Sequence, residues 1–255
     1  MASLGSFLRS GGRGLPVRPH RVAGPTPATW QLAVAAAGAV VLLVAIGSGP
    51  VGWAAGLAYL AALLAVLAWA VRRAGATTLG PADLVTLLRA VLIVGVTALV
   101  ADGLATGATP VAVLVTLSSV ALVLDAVDGK VARRTETVTP LGARFDMEID
   151  AVLLLVLSVH VAVLLGPWVL AIGLIRYVFV AVSLALPWLG ATLTARYAAK
   201  VVAALQGIVL VVAASELLPT LLAVIMVAVA LALLVWSFAV DIPRLWQMAH
   251  PGPTP

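Results

Sequence analysis

The chain contains no cysteine, which excludes disulfides and thiolate metal sites. It also has little charge: 10% of its 255 residues are Asp, Glu, Lys or Arg, whereas 63% are apolar. A soluble domain carries about 25% charged and about 45–50% apolar residues. Much of any globular surface must face water, so no soluble fold hides this much hydrocarbon. The mean hydropathy of +1.19 points to a bilayer as the solvent. Lysine is scarce too, with only Lys130 and Lys200 among 15 basic residues. That bias, with abundant Ala and Val, suggests a high-GC bacterium.

What charge there is sums to +5. On a soluble chain this would raise nucleic acid as a partner, but in a membrane protein Lys and Arg gather in cytoplasmic loops, so no nucleic acid is expected. Residues 1–30 hold Arg9, Arg13, Arg18 and Arg21 among many Gly and Pro, and read as a disordered basic cytoplasmic tail. The first apolar run begins near Leu32, behind that tail, so no cleavable signal peptide is expected.

A spanning helix needs roughly 20 mainly apolar residues. Segments at about 31–47, 51–70, 82–104, 110–133, 141–165, 167–188, 198–218 and 220–241 qualify. The expected fold class is therefore all-α, a polytopic membrane helical bundle of about eight transmembrane helices. Its domains would be the tail, an N-terminal pair over 31–79, a six-helix core over 80–241, and a cytoplasmic tail over 242–255. With the N-terminus inside, the inner loops hold Arg72, Arg73, the stretch Lys130–Arg144, Arg196 and Lys200. The outer turns near 48, 106, 166 and 219 hold no Lys or Arg, and Asp102 and Glu216 lie on that side. This is a positive-inside pattern, and shifting the count by one helix would break it. Trp30, Trp69, Trp168 and Trp188 fall at helix ends, as an interfacial belt requires. Gly52 and Gly56 form a small-xxx-small pair, best explained by helix packing.

Against this background the acids stand out, since each costs around 2.5–3.5 kcal/mol in the hydrocarbon layer even on a lenient scale. The fourth and fifth spans contain Asp125, Asp128, Asp146, Glu148 and Asp150. Asp125 and Asp128 share a helix face, as do Asp146 and Asp150. The connection around Glu136–Pro140 is short, so the two helices should be antiparallel neighbours with Asp128 and Asp146 at one depth. Asp125 and Asp150 would meet about one turn deeper. Such a cluster needs compensating cations, and an all-oxygen shell suits Mg²⁺, Mn²⁺ or Ca²⁺ completed by substrate phosphate. Two ions could clamp the attacking and leaving oxygens of a phosphoryl displacement. From the acids alone, a proton- or cation-coupled transporter competes with an enzyme.

The residues between the acids separate these readings. The chain runs Asp125-Ala-Val-Asp128-Gly129-Lys-Val-Ala132-Arg133, then eight residues, then Gly142-Ala-Arg-Phe-Asp146-Met-Glu-Ile-Asp150. This resembles the signature of the CDP-alcohol phosphotransferases, D-x2-D-G-x2-A-R-x8-G-x3-D-x3-D, at every position. A transporter would not explain Gly129, Ala132, Arg133 and Gly142 at fixed offsets, and neither internal repeats nor broken helices are evident. The full set of signature acids also argues against a catalytically dead scaffold. Pro81-Ala-Asp83-Leu-Val-Thr86-Leu-Leu-Arg89 is similar to the family's first core helix, P-N-x2-T-x2-R, with Asp in place of Asn. Lys200 and Gln206 match parts of a G-K-x-K-T-x2-Q pattern of phosphatidylglycerophosphate synthases, but Val202 and Ala203 replace its second Lys and Thr.

The resemblance implies that Asp125, Asp128 and Asp146 are metal ligands, joined by Asp150, whose position is also the family's general base. It implies Mg²⁺ or Mn²⁺, with two ions. Gly129, Ala132, Arg133, Gly142, Asp83, Thr86 and Arg89 would bind CDP and phosphate. Arg89 reads either as a counter-charge to the acids or as a cation snorkelling from a helix end. Arg176, midway along the sixth span, would hold an acceptor phosphate or pair with a carboxylate, and Arg144, Arg196 and Lys200 could join it. His160 reads as a helix-packing histidine. The implied enzyme is a multi-pass protein of the bacterial inner membrane. It would move a phosphatidyl group from CDP-diacylglycerol to a small alcohol such as glycerol 3-phosphate or inositol phosphate. Membrane lipids surround it, a homodimer is implied, and soluble CDP-alcohol donors are the alternative within the class.

Overall fold

The computed structural model describes residues 28–74, 81–135, 140–186 and 197–249. The basic N-terminal tail, Trp188, Arg196 and the connection at 136–139 lie outside them. Within the described residues the chain is helical throughout. In order come α1 (Ala28–Ala45), α2 (Pro50–Ala74), α3 (Pro81–Thr106), α4 (Val111–Thr135) and α5 (Pro140–Leu165). A 3₁₀ turn (Pro167–Val169) leads into α6 (Leu170–Ala185), and α7 (Tyr197–Ala214) and α8 (Thr220–Ala249) complete the bundle.

Proline marks most of the starts. Pro50, Pro81 and Pro140 each occupy the first helical position, where the missing N–H would have had no partner anyway. The short turns after α1 and α3 close through Gly47 (φ 66°) and Gly107 (φ 73°), left-handed positions that disfavour a Cβ. Turns this short force their flanking helices to run antiparallel. Most boundaries shift by a few residues from the sequence expectation, and two of the shifts have a visible cause. α7 stops at Ala214, because Ser215 and Glu216 turn the chain before Pro219. α8 runs on through Pro243 to Ala249, since one proline removes a single backbone bond without ending a helix anchored on both sides.

Among the described residues, five helices are long and apolar enough to cross a membrane: Pro50–Trp69, Asp83–Thr106, Phe145–Leu165, Pro167–Ala185 and Thr220–Arg244. The other three, Trp30–Ala45, Val111–Ala126 and Val201–Ala214, are apolar but shorter. In α4 the apolar stretch ends where the acids and Lys130 begin, so charge rather than helix length limits it. The bundle's outside carries Val41, Val123, Val163, Leu184 and Leu221 largely exposed. In water such a surface would drive aggregation, whereas in a bilayer it is the lipid contact. The protein is an integral membrane helical bundle.

α3 is the hub, packing against α1, α2, α4 and α5. Ala90, Ile93, Val94, Val96 and Ala98 along it are fully enclosed. The α1–α2 hairpin is fastened to α3 by a polar clamp. Asp102 accepts hydrogen bonds from the backbone N–H groups of Gly49 (2.7 Å) and Gly52 (2.6 Å), satisfying donors that the start of α2 leaves open. A Cβ on Gly52 would stand 2.8 Å from the Ala98 carbonyl, so only glycine allows this approach. Gly56 continues the contact, against Leu43 and Val94. The small-residue pair legible in the sequence is thus a helix-packing seam.

Asp102→Ala should leave those N–H groups without an acceptor, at a cost of about 1–3 kcal/mol. A lower thermal unfolding midpoint in detergent is expected, and an unchanged midpoint would count against the clamp.

Candidate active site

Charge in the interior of this bundle is concentrated at Arg89, two turns into α3. Its side chain has 0% exposure and reaches carboxylates on two neighbouring helices. Nη1 lies 3.0 Å from Asp125 of α4 and 2.5 Å from Asp146 of α5, while Nη2 pairs with Asp150, also on α5. Asp146 and Asp150 sit one helical turn apart, so both oxygens are presented to a single guanidinium. The planar fork of Arg can bond several carboxylates at once, which the point charge of Lys cannot do as well. Of the two sequence readings of Arg89, the structure selects the counter-charge.

The carboxylates are not sealed in. Side-chain exposures of 37%, 35% and 40% for Asp125, Asp146 and Asp150 leave each open to a ligand. One oxygen from each lies within 4.8 Å of the others. Among the described residues, three acids face one arginine, which leaves this centre short of positive charge. An all-oxygen donor set with that deficit fits a hard divalent cation such as Mg²⁺ or Mn²⁺.

The helix that carries Arg89 brings its earlier turns alongside. Thr86 is buried, and Asp83 lies in the first turn of α3, where the helix dipole favours an acid. Asp128, Gly129, Ala132 and Arg133 continue α4 toward Thr135, and Gly142 and Arg144 belong to the first turns of α5. Lys200 belongs to the first turn of α7. The side chains of these seven lie outside the described residues, as does all of Arg196.

Arg176 is drawn into a second ion pair, separate from the first. Its Nη2 donates to Glu148 of α5 at 2.6 Å, with both side chains partly exposed. Glu148 is two residues from Asp146 and from Asp150, so it leaves α5 on the opposite side. The pairing with a carboxylate is one of the two roles the sequence left open, although the partner could not be named from it. His160 is buried on α5, as a packing residue would be. Gln206 is also fully buried and donates to the Ala230 carbonyl of α8 at 2.8 Å, tying α7 to α8. Its place in a synthase-like pattern therefore coincides with a structural role.

A protein-family model described as CDP-alcohol phosphatidyltransferase matches residues 79–236, from the start of α3 into α8. Neither the curated proteins nor the solved structures give a significant match.

Replacing Arg89 by Gln leaves three acids facing one another without their cation. Removing one partner of a buried ion pair costs about 3–5 kcal/mol, and a loss of that size is expected in detergent unfolding measurements. Added Mg²⁺ or Mn²⁺ should recover part of it, because a divalent cation supplies the missing charge. A variant as stable as wild type would argue against the observed pairing.

Proposed function

The chain belongs to the CDP-alcohol phosphatidyltransferase family and is a transferase, and we propose that it moves a phosphatidyl group from CDP-diacylglycerol to a small alcohol, releasing CMP. The observation that carries this reading is the convergence of Asp125, Asp146 and Asp150 on buried Arg89 inside the family-matched segment. The acceptor is a polyol or polyol phosphate of the glycerol 3-phosphate or inositol phosphate type. Basic residues that the sequence assigns to cytoplasmic segments, Arg144, Arg196 and Lys200, favour the phosphorylated forms. Arg176 would join them on opening its pair with Glu148.

Asp125, Asp128, Asp146 and Asp150 would hold two Mg²⁺ or Mn²⁺ ions. Such ions neutralise the diphosphate and stabilise charge on its oxygens. Arg89 restrains three of the acids so that their oxygens stay grouped in a membrane interior that would otherwise drive them apart. Gly129 and Ala132, without bulk, leave room for the nucleotide beside α4. Arg133, Asp83 and Thr86 supply polar contacts to CDP and phosphate, and Gly142 lets the start of α5 approach closely. Asp150 is the general base. It takes the proton from the acceptor hydroxyl as that oxygen bonds to the lipid-side phosphorus. The bridging P–O bond of the diphosphate then breaks, and CMP departs with the bridging oxygen.

The three shorter apolar helices complete an eight-span bundle of the bacterial inner membrane, with both termini and the site at the cytoplasmic face. This orientation is supported by the basic residues Arg72, Arg73, Arg133, Arg134 and Arg144 at one end of the bundle. The working unit is a homodimer.

The test is CMP release from CDP-diacylglycerol by lipid-reconstituted protein, across a panel of alcohols and alcohol phosphates. Release stimulated by one acceptor and abolished by EDTA is expected. If soluble CDP-alcohols alone support turnover, the lipid donor is wrong. Asp150→Asn should abolish transfer yet retain CDP-lipid binding, whereas Asp128→Ala should weaken metal-dependent binding as well. Wild-type turnover in Asp150→Asn would remove the base assignment.

A further inference from the structure

The α1–α2 hairpin lies outside the family-matched segment, yet it brings one polar group to the level of the carboxylate centre. The register of α2 on α3 sets that level. Gly52 opposes Ala98 and Gly56 opposes Val94, so an advance of four residues along α2 matches a retreat of four along α3. The Asp102 clamp on Gly49 and Gly52 holds this antiparallel alignment at its far end. Continued along the helices, it sets residues 59 and 60 across from residues 89–91. Leu60, Leu63 and Leu67 carry the buried face of α2 onward, and Tyr59 packs against the core beside them. The alignment therefore delivers Tyr59 to the depth of Arg89.

The Tyr59 hydroxyl is buried and has no hydrogen-bond partner among the described residues. It lies within electrostatic reach of Arg89, and of Tyr177 on α6. Tyr177 in turn is within reach of Glu148 and Arg176. A buried hydroxyl left unpaired is costly, so a position that keeps one points to a partner that arrives with the ligand. The character of that partner follows from the charges. Arg89 is already bound to three carboxylates, so among the described residues acids outnumber cations at the centre. A neutral hydroxyl meets no repulsion there, and a phenol can both donate to it and accept from it.

We propose that Tyr59 contacts the alcohol acceptor, its hydroxyl hydrogen-bonding a hydroxyl of that acceptor and so helping to set which alcohol the site takes. The hairpin is then a wall of the acceptor subsite rather than a packing adjunct. This rests on the transfer reaction proposed above.

The test compares wild type with Tyr59→Phe, which keeps the aromatic packing and removes only the hydroxyl. CMP release is measured while CDP-diacylglycerol and acceptor are titrated separately, with glycerol 3-phosphate and inositol phosphate as the probes. The acceptor KM should rise about five- to tenfold, the loss of one hydrogen bond, while the donor KM stays put. Both constants come from one preparation, so partial unfolding would lower kcat and move neither. An unchanged acceptor KM, or equal rises in both constants, overturns the proposal. Wild-type protein with no acceptor-dependent release overturns the transfer reading and this proposal with it. That result is distinct from an active enzyme whose constants the phenylalanine leaves unmoved.

Discussion

A guanidinium with no exposure, placed inside a hydrocarbon-facing bundle, must be paired or it will not stay there. Arg89 meets that demand with Asp125, Asp146 and Asp150, and the architecture around it follows from the pairing. The acids come from α4 and α5, so both helices must lie against α3 at one depth. Each group is expensive in a membrane alone, and together they offset much of one another's cost. The compensation is incomplete, since three acids face one arginine, and an acid-rich remainder of this kind suits a cation.

α3 is held by polar contacts near both of its ends. Arg89 ties one end to α4 and α5, and Asp102 ties the other to the start of α2. Between them the helix is apolar and enclosed, with Ile93, Val94 and Val96 fully buried. Apolar packing among helices in lipid has little directional preference, because lipid tails are as apolar as the side chains. The charged and hydrogen-bonded contacts therefore supply the register that packing alone leaves loose. The Gly52–Gly56 seam then allows α2 to approach closely enough for that register to hold.

α5 divides its acids between two neighbours. Asp146 and Asp150 face α3, whereas Glu148 meets Arg176 of α6 at 2.6 Å. Helical periodicity separates them, since residues two apart project to opposite sides. One helix thus serves the carboxylate centre and also the contact with α6. The ion pair on the α6 side keeps a membrane cation neutralised.

Much of this was legible in the sequence, for reasons of composition and spacing. An apolar content of 63% required a membrane, and proline and glycine marked most helix limits, the end of α8 excepted. The acid spacing named Asp125, Asp128, Asp146 and Asp150 as a convergent group, because helical periodicity is local and can be counted along the chain; three of them meet in the structure, and the side chain of Asp128 lies outside the described residues. The tertiary structure decided what counting cannot reach. Arg89 lies 36 residues before Asp125 in the chain, and its choice between snorkelling and pairing depends on how α3, α4 and α5 pack. Glu148 as the partner of Arg176, Asp102 as the clamp on α2, and Tyr59 at the level of the centre likewise join distant segments. No period or motif records such contacts, since they arise only when separate helices share one depth and one face.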